Sequence, residues 1–168
     1  GVGHVVGRDS LMLSMQTITE LLAAFLGTLG FSLFYRVAPR HLAVTVSGGV
    51  MTWAAYLVIH HFYNDAFASN MLAAMCAALW AEIFARVKKA PTNVFLIPAI
   101  LPLLPGQSFY YTMAALVHNH RAYFAIKAME TLRVVFSIAC GVLTVSMFFY
   151  LLREIHHRID RGRRPPSP

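Results

Sequence analysis

Residues 93–117 read NVFLIPAILPLLPGQSFYYTMAALV, an apolar stretch that is long enough to cross a bilayer but contains Pro98, Pro102, Pro105 and Gly106. Each proline removes a backbone donor and clashes with the preceding turn, at about 3 kcal/mol or more inside a helix. Lipid cannot hydrogen-bond the freed carbonyls, so broken backbone persists at membrane depth only beside protein or a water-filled cavity. The stretch therefore predicts a full crossing with a break near Pro105 and Gly106. A hairpin that returns to the same side is the alternative.

The composition around this stretch is that of a membrane protein. The chain has 168 residues, of which 58% are hydrophobic and only 12% are charged, whereas a soluble domain is about half apolar and about a quarter charged. A spanning helix needs about 20 mostly apolar residues. We predict an all-α polytopic membrane protein with five transmembrane segments, at residues 13–35, 42–60, 66–87, 94–117 and 129–152, the fourth of which is broken.

The domain organisation follows from these segments. Residues 13–155 form the predicted transmembrane helical domain. Residues 1–12 lack the apolar core of a signal peptide and are interpreted as an amino-terminal extension or a remnant of expression. Residues 156–168 are rich in Arg and Pro and predict a disordered basic cytoplasmic tail.

The lysines and arginines predict the orientation. With the amino terminus outside and the carboxyl terminus cytoplasmic, ten basic residues fall inside and four fall outside, as the positive-inside rule prefers. The ten are Arg36, Arg40, Arg86, Lys88, Lys89, Arg153, Arg158, Arg161, Arg163 and Arg164, and the four are Arg8, Arg121, Lys127 and Arg133. The net charge of +7 therefore indicates membrane orientation rather than binding to nucleic acid.

Small residues recur every fourth position on three of the predicted helices. This spacing lets helices approach closely in lipid, where the hydrophobic effect does not drive them together. Any such face that the chain does not use itself would suit a partner subunit or another copy of the chain in a homo-oligomer. The residues are Ala23 and Gly27, then Ala73, Ala77 and Ala81, and finally Ser137 and Gly141.

The broken segment is also the predicted substrate site. If the chain unwinds there, the residues after Pro105 begin a new half-helix, whose amino end carries free donors and partial positive charge. Interrupted helices of this kind hold carboxylates in transporters. A structural kink is the alternative. The predicted substrate-binding residues are Pro102, Pro105, Gly106, Gln107, Ser108, Tyr110, Tyr111 and Asn70, although Asn70 could instead cap the third helix.

Four charged residues inside or beside the segments are candidates for ion coupling or charge balance. They are Glu20, Glu82, Glu130 and Arg133, because an ionisable group in a membrane segment is a functional hypothesis by default. Each could instead extend to the interface, and Glu130 could pair with Arg133 three residues later. The chain has no HExxH, no GxSxG and no glycine-rich phosphate loop, so we predict no catalytic residues, no metal and no cofactor.

Two stretches carry a resemblance to a known family. Residues 94–117, and LGTLGFSLFYRVAPRHL at residues 26–42, resemble the carboxyl-terminal half of the threonine/serine exporter (ThrE) family, with similarity over most of residues 18–155. Pro102, Pro105, Gly106 and Ser108 match the family motif by position. In some members the two halves are fused, and in others they are separate proteins, of which this chain resembles the smaller.

The resemblance implies export of small carboxylate-bearing metabolites, which are threonine and serine or dicarboxylates such as succinate. It also implies a bacterial inner-membrane location and an obligate larger membrane subunit. We therefore interpret the chain as the small subunit of a secondary transporter, with the lipid bilayer, the larger subunit and the carboxylate substrate as its partners. The alternatives are a non-transporting membrane scaffold or assembly subunit, and a membrane enzyme.

Overall fold

The computed structural model describes residues 2–118 and 120–162. Six helices follow one another: α1 (Val2–Phe34), α2 (Pro39–Tyr63), α3 (Ala66–Lys88), α4 (Thr92–Ile100), α5 (Gly106–Val117) and α6 (Arg121–Gly162), with a short 3-10 turn at Leu101–Leu103 between α4 and α5. The all-α prediction is confirmed. Helix α1 includes most of the predicted extension, and α6 includes the first residues of the predicted tail, whereas residues 163–168 lie outside the described residues.

Four helices are long and apolar enough to cross a membrane, and the pair α4–α5 raises the number to five if it counts as one bent span. The four segments are Met15–Phe34, Pro39–Tyr63, Ala66–Lys88 and Arg121–Ile155. They correspond to the predicted segments, with boundaries that differ by a few residues except in the fifth, where the helix begins eight residues before the predicted 129. The fold is that of a polytopic helical membrane protein.

The core is built around α3. Its small residues Ala73, Ala77 and Ala81 are fully buried, which confirms the prediction that this face packs within the chain. A Cβ added at Gly141 of α6 would lie 2.4 Å from the carbonyl oxygen of Met71. The backbones of α3 and α6 therefore approach as closely as the sequence pattern predicts.

Helices α1 and α2 cross at a second close approach. A Cβ added at Gly49 would lie 2.2 Å from the hydroxyl oxygen of Thr28, and Thr28 is itself fully buried. In contrast, no atom lies within 4 Å of a Cβ added at Gly27, and Ala23 is exposed. The predicted small-residue face of α1 therefore points away from the rest of the described chain.

Arg36, Arg40 and Lys89 lie together at one end of the bundle, which we call the basic end. At the basic end, the turn after α1 and the turn after α3 line one cavity, and the Arg86 guanidinium lies 4.3 Å from the ring centroid of Phe149, which brings the later part of α6 there. At the opposite end, Asp65 before α3 and Ile126 near the start of α6 line another cavity. The spatial grouping matches the ten-to-four division of basic residues for those that the structure describes.

Candidate functional site

The break in the fourth segment has the predicted position. Helix α4 ends at Ile100 and α5 begins at Gly106, and the two pieces are inclined by 61°. Two short backbone bonds hold the connection, from the Leu104 amide to the Leu101 carbonyl at 3.1 Å and from the Gly106 amide to the Leu104 carbonyl at 2.8 Å. Pro102 and Pro105 have no amide to donate, so the regular helical ladder cannot continue through them.

The break lies within the bundle and not at one of its ends. Leu103 is buried against Ala73 and Ala74 of α3 and Ile138 of α6, and all three residues belong to helices long enough to span a membrane. Helix α4 starts at the basic end, where Asn93 lines the cavity, and α5 runs to the start of α6. This is the course of a broken span rather than of a hairpin that returns to the same end.

The amino end of α5 faces outward from the described chain. A Cβ added at Gly106 would meet no atom within 4 Å, and Gln107, Tyr110 and Tyr111 are exposed. Pro102, Pro105 and Ser108 are half-buried. The first amides of a helix have no partner within it, and no side chain caps this one. The Gly106 amide is occupied by the Leu104 carbonyl, and the start of α5 around Gln107 lies on an open surface of the described chain.

Helix α5 packs against α6 at a pair of threonines. The Thr112 hydroxyl donates to the Ser108 carbonyl at 2.7 Å, and the hydroxyl oxygens of Thr112 and Thr131 lie 3.4 Å apart. Thr131 directly follows Glu130 in α6. The half-helix is therefore packed against the part of α6 that contains two of the predicted charge-balancing residues.

Glu130 and Arg133 line a cavity of about 530 Å³ at the opposite end of the bundle, together with Asp65. The pairing of Glu130 with Arg133 that we considered is wrong, because the Lys127 ammonium lies 2.7 Å from a carboxylate oxygen of Glu130. Lys127 lies one turn earlier on the same face and competes for the same carboxylate. Arg133 has no ion pair within residues 2–118 and 120–162, and its side chain borders the cavity.

The other predicted residues are placed apart from the break. Glu82 of α3 binds Arg86 at 3.3 Å and accepts a hydrogen bond from Thr92 at 3.4 Å, so it fastens the start of α4 to α3. Glu20 accepts a bond from Gln16 within α1. Each carboxylate therefore has a partner on the described chain.

Asn70 does not cap the third helix. Asp65 caps α3 by accepting a hydrogen bond from the Ala68 amide at 3.1 Å. Asn70 is buried and donates to the Ala66 carbonyl at 2.8 Å. Its amide is thus used within the first turn of α3, and the capping alternative for Asn70 is wrong because the acidic residue five positions earlier occupies the cap.

Comparison with known protein families identifies the family of this chain. The family model for the threonine/serine exporter, ThrE, matches residues 20–148, which is more than three quarters of the chain. The chain belongs to the threonine/serine exporter family. The matched range contains the break, α5 and the cavity that Glu130 and Arg133 line, so the resemblance noted in the sequence is confirmed. No solved structure matches the chain.

Membership of the threonine/serine exporter family makes the chain an exporter-type membrane transporter. One feature of this exporter fold was missed from the sequence. His41, near the start of α2, is buried at 5% exposure and lines a cavity at the basic end with Arg36, Arg40 and Lys89. We had used these three basic residues only to orient the chain. The sequence signal that could have indicated this cavity is the Ala-Pro pair that follows basic residues in both turns, at residues 38–39 and 90–91.

Proposed function

We propose that this exporter is the small subunit of a two-component secondary transporter, which moves small carboxylate-bearing metabolites out of the bacterial cytoplasm with a larger membrane subunit. The metabolites are threonine- and serine-type amino acids or dicarboxylates such as succinate, and the proton gradient drives their export. The chain lies in the inner membrane with its basic end in the cytoplasm, as the positive-inside rule prefers.

The observation that supports this proposal is the uncovered break. An exposed start of α5 at mid-bundle leaves backbone donors and the Gln107 amide in a region that lipid cannot solvate. A protein surface or a water-filled cavity must therefore cover residues 105–108. Since the described residues do not supply the cover, we infer that a second membrane subunit does so, and that the carboxylate binds between the two at the amino end of α5.

The unused face of α1 supports the same assembly. Ala23 is exposed, and the space around Gly27 is open, although both residues have the four-residue spacing that brings membrane helices together. A partner helix would fit against this face without steric conflict. The charged cavity of Arg133, Glu130 and Asp65 offers complementary charges to a zwitterionic amino acid near the opposite end of the path.

The test is efflux of radiolabelled serine, threonine and succinate from vesicles that contain both subunits. We expect Gly106→Leu to abolish efflux and to leave membrane insertion intact, because the leucine would fill an open space beside the α5 donors. Ala139→Leu is the matched control, because Ala139 is also exposed but lies on α6, away from both the break and the unused face of α1. Normal efflux in Gly106→Leu would contradict the proposal.

Co-purification separates this function from that of a scaffold. We expect the chain to purify with a larger membrane protein and to show no efflux alone. If Gly106→Leu and substitutions of Pro102 and Ser108 prevent assembly but change no flux in the complexes that form, the chain is a scaffold. A lone chain with full export activity would contradict the two-component assignment.

A further inference from the structure

A second cavity lies at the basic end, between the turn that joins α1 to α2 and the turn that joins α3 to α4. Its volume is about 310 Å³. Residues 35–41 form one wall and residues 89–98 form most of the other. The cavity is therefore created only when two turns far apart in sequence come together, and it is separate from the break and from the Arg133 cavity.

The charge of this cavity is entirely positive. Arg36, Arg40 and Lys89 line it, and no carboxylate of the described side chains does. Glu82 lies one turn before Arg86 on α3, but it does not line the cavity, and Arg86 and Thr92 bind its oxygens. Three cations brought together at a membrane boundary favour a bound anion, since charge-assisted hydrogen bonds to an oxyanion offset their mutual repulsion.

Two helices also begin at this cavity. The residues that precede their first turns, Ala38 for α2 and Pro91 for α4, line it, and neither provides a side-chain cap. Neither first turn contains an acidic residue. Amides at a helix start lack internal partners and carry partial positive charge. Pro39 has no amide hydrogen, and the His41 and Val94 amides donate to the carbonyls of Ala38 and Pro91. The two uncapped helix starts therefore contribute mainly their dipoles, which have the same sign as the three cations.

His41 is a buried polar residue in the wall of this cavity. The Arg40 Nε donates to Nε2 of His41 at 3.0 Å, so Nε2 is an acceptor and the ring proton lies on Nδ1. This Nδ1 is buried and has no hydrogen-bond partner. A buried donor without a partner is destabilising, and the side chain that carries it lines the cavity. Because Nδ1 itself is not exposed to the cavity, an oxygen acceptor there would reach it once the imidazole turns toward the lining.

Apart from Tyr35 and Asn93, the remaining lining residues are apolar, and they indicate what accompanies the anion. Val94, Ile97 and Pro98 of α4 line the cavity, and Ile97 is exposed on the flank of the bundle. A soluble metabolite gains little from such a wall, whereas a lipid places its phosphate among the cations and its acyl chain along the helix. Basic pockets between membrane helices on the cytoplasmic side bind anionic headgroups. We propose that this cavity binds the phosphate of an anionic phospholipid.

The backbone allows a test in which folding is not at risk. Arg36 and Lys89 both adopt positive φ, at 52° and 50°, which glycine adopts without steric cost. Arg36→Gly with Lys89→Gly therefore removes two cavity charges and relieves the backbone. Asn64→Gly controls for the glycine, because Asn64 has φ of 48° in the turn before α3. Lys88→Gln with Arg153→Gln controls for charge, because neither residue lines the cavity.

The full chain, purified in a zwitterionic detergent, is titrated with phosphatidylglycerol and with phosphatidylcholine, and bound lipid is counted by native mass spectrometry. We expect preferential retention of phosphatidylglycerol. The Arg36→Gly, Lys89→Gly variant should bind it about thirtyfold more weakly, as expected for two basic residues beside an anionic headgroup. Both control variants should bind as the unmodified chain does.

Three outcomes would overturn the inference. They are equal retention of the two lipids, unchanged affinity in the Arg36→Gly, Lys89→Gly variant, and displacement of phosphatidylglycerol by millimolar inorganic phosphate or succinate. The last would assign the cavity to a soluble anion instead. Since none of these measurements records transport, the lipid site can fail while the proposed export function stands, and the reverse also holds.

Discussion

Gly141 offers the sharpest test of how α3 and α6 are held together. A Cβ at this position would lie 2.4 Å from the Met71 carbonyl oxygen, 3.0 Å from the Ala74 Cβ and 3.2 Å from the Met75 amide nitrogen. Two of these three atoms belong to the backbone of α3, so no side-chain rotation can relieve the contact. We therefore expect Gly141→Ala to force the two helices apart.

The contact at Gly141 sets a minimum displacement of α3 and α6. Real Cβ atoms essentially never approach another heavy atom within 3.0 Å, so the shortest contact must lengthen by at least 3.0 − 2.4 = 0.6 Å. Overpacking of this kind costs about 1–3 kcal/mol. Alanine gains about 1 kcal/mol over glycine in a helix, which offsets part of that cost. A net destabilisation of up to about 2 kcal/mol remains, and the larger Gly141→Leu should be worse.

Gly30→Ala is the matched control, because no atom lies within 4 Å of its added Cβ. We expect Gly30→Ala to melt at or above the temperature of the unmodified chain in detergent, and Gly141→Ala to melt several degrees lower. The measurement is the loss of the monodisperse peak in size-exclusion chromatography after heating. If the two variants melt together, the close crossing of α3 and α6 at Gly141 is not as described.

Two further substitutions test the core and the predicted ion coupling. Phe95→Ala should lower the free energy of unfolding by about 3 kcal/mol by leaving a cavity, because Phe95 is fully buried against Ala81 and Ala85. Phe62→Ala is the control and should change little, because Phe62 is exposed. Equal melting temperatures of the two variants would refute this. Glu82→Gln should cost under about 1 kcal/mol, because the Arg86 side chain of its ion pair is half-exposed and such pairs contribute little. It should nevertheless remove the dependence of efflux on the proton gradient. Efflux that keeps this dependence would leave Glu82 with only its structural role at the start of α4.

The sequence predicted the membrane helices and the break because each depends on local chemistry. Apolar length alone identifies a span, and prolines at positions 102 and 105 prevent a continuous helix whatever surrounds them. The small-residue spacing of α3 and α6 was also read correctly, since it fixes which faces can approach. In α1 the same spacing did not predict contact within the chain, because no other described helix lies against the face that carries Ala23 and Gly27.

The partners of charged side chains were less predictable. Glu130 has Lys127 on one side and Arg133 on the other, both three residues away, so helical spacing permits either pair. The structure forms the pair with Lys127, and Arg133 is left to border the cavity. In the same way, nothing local indicates that His41 is buried, since its environment is completed by Phe95, whose ring it meets edge-on at 5.5 Å.

The outward position of the break is what changes the interpretation of the motif. Had the chain used the prolines only to bend a helix, the start of α5 would be expected to pack against the bundle, as Leu103 does just before it. Instead the buried side of the connection is apolar, and the side with free amides and Gln107 is exposed. A membrane cannot tolerate that arrangement uncovered. This arrangement supports our proposal that the half-helix is one wall of a site whose other wall belongs to a second protein.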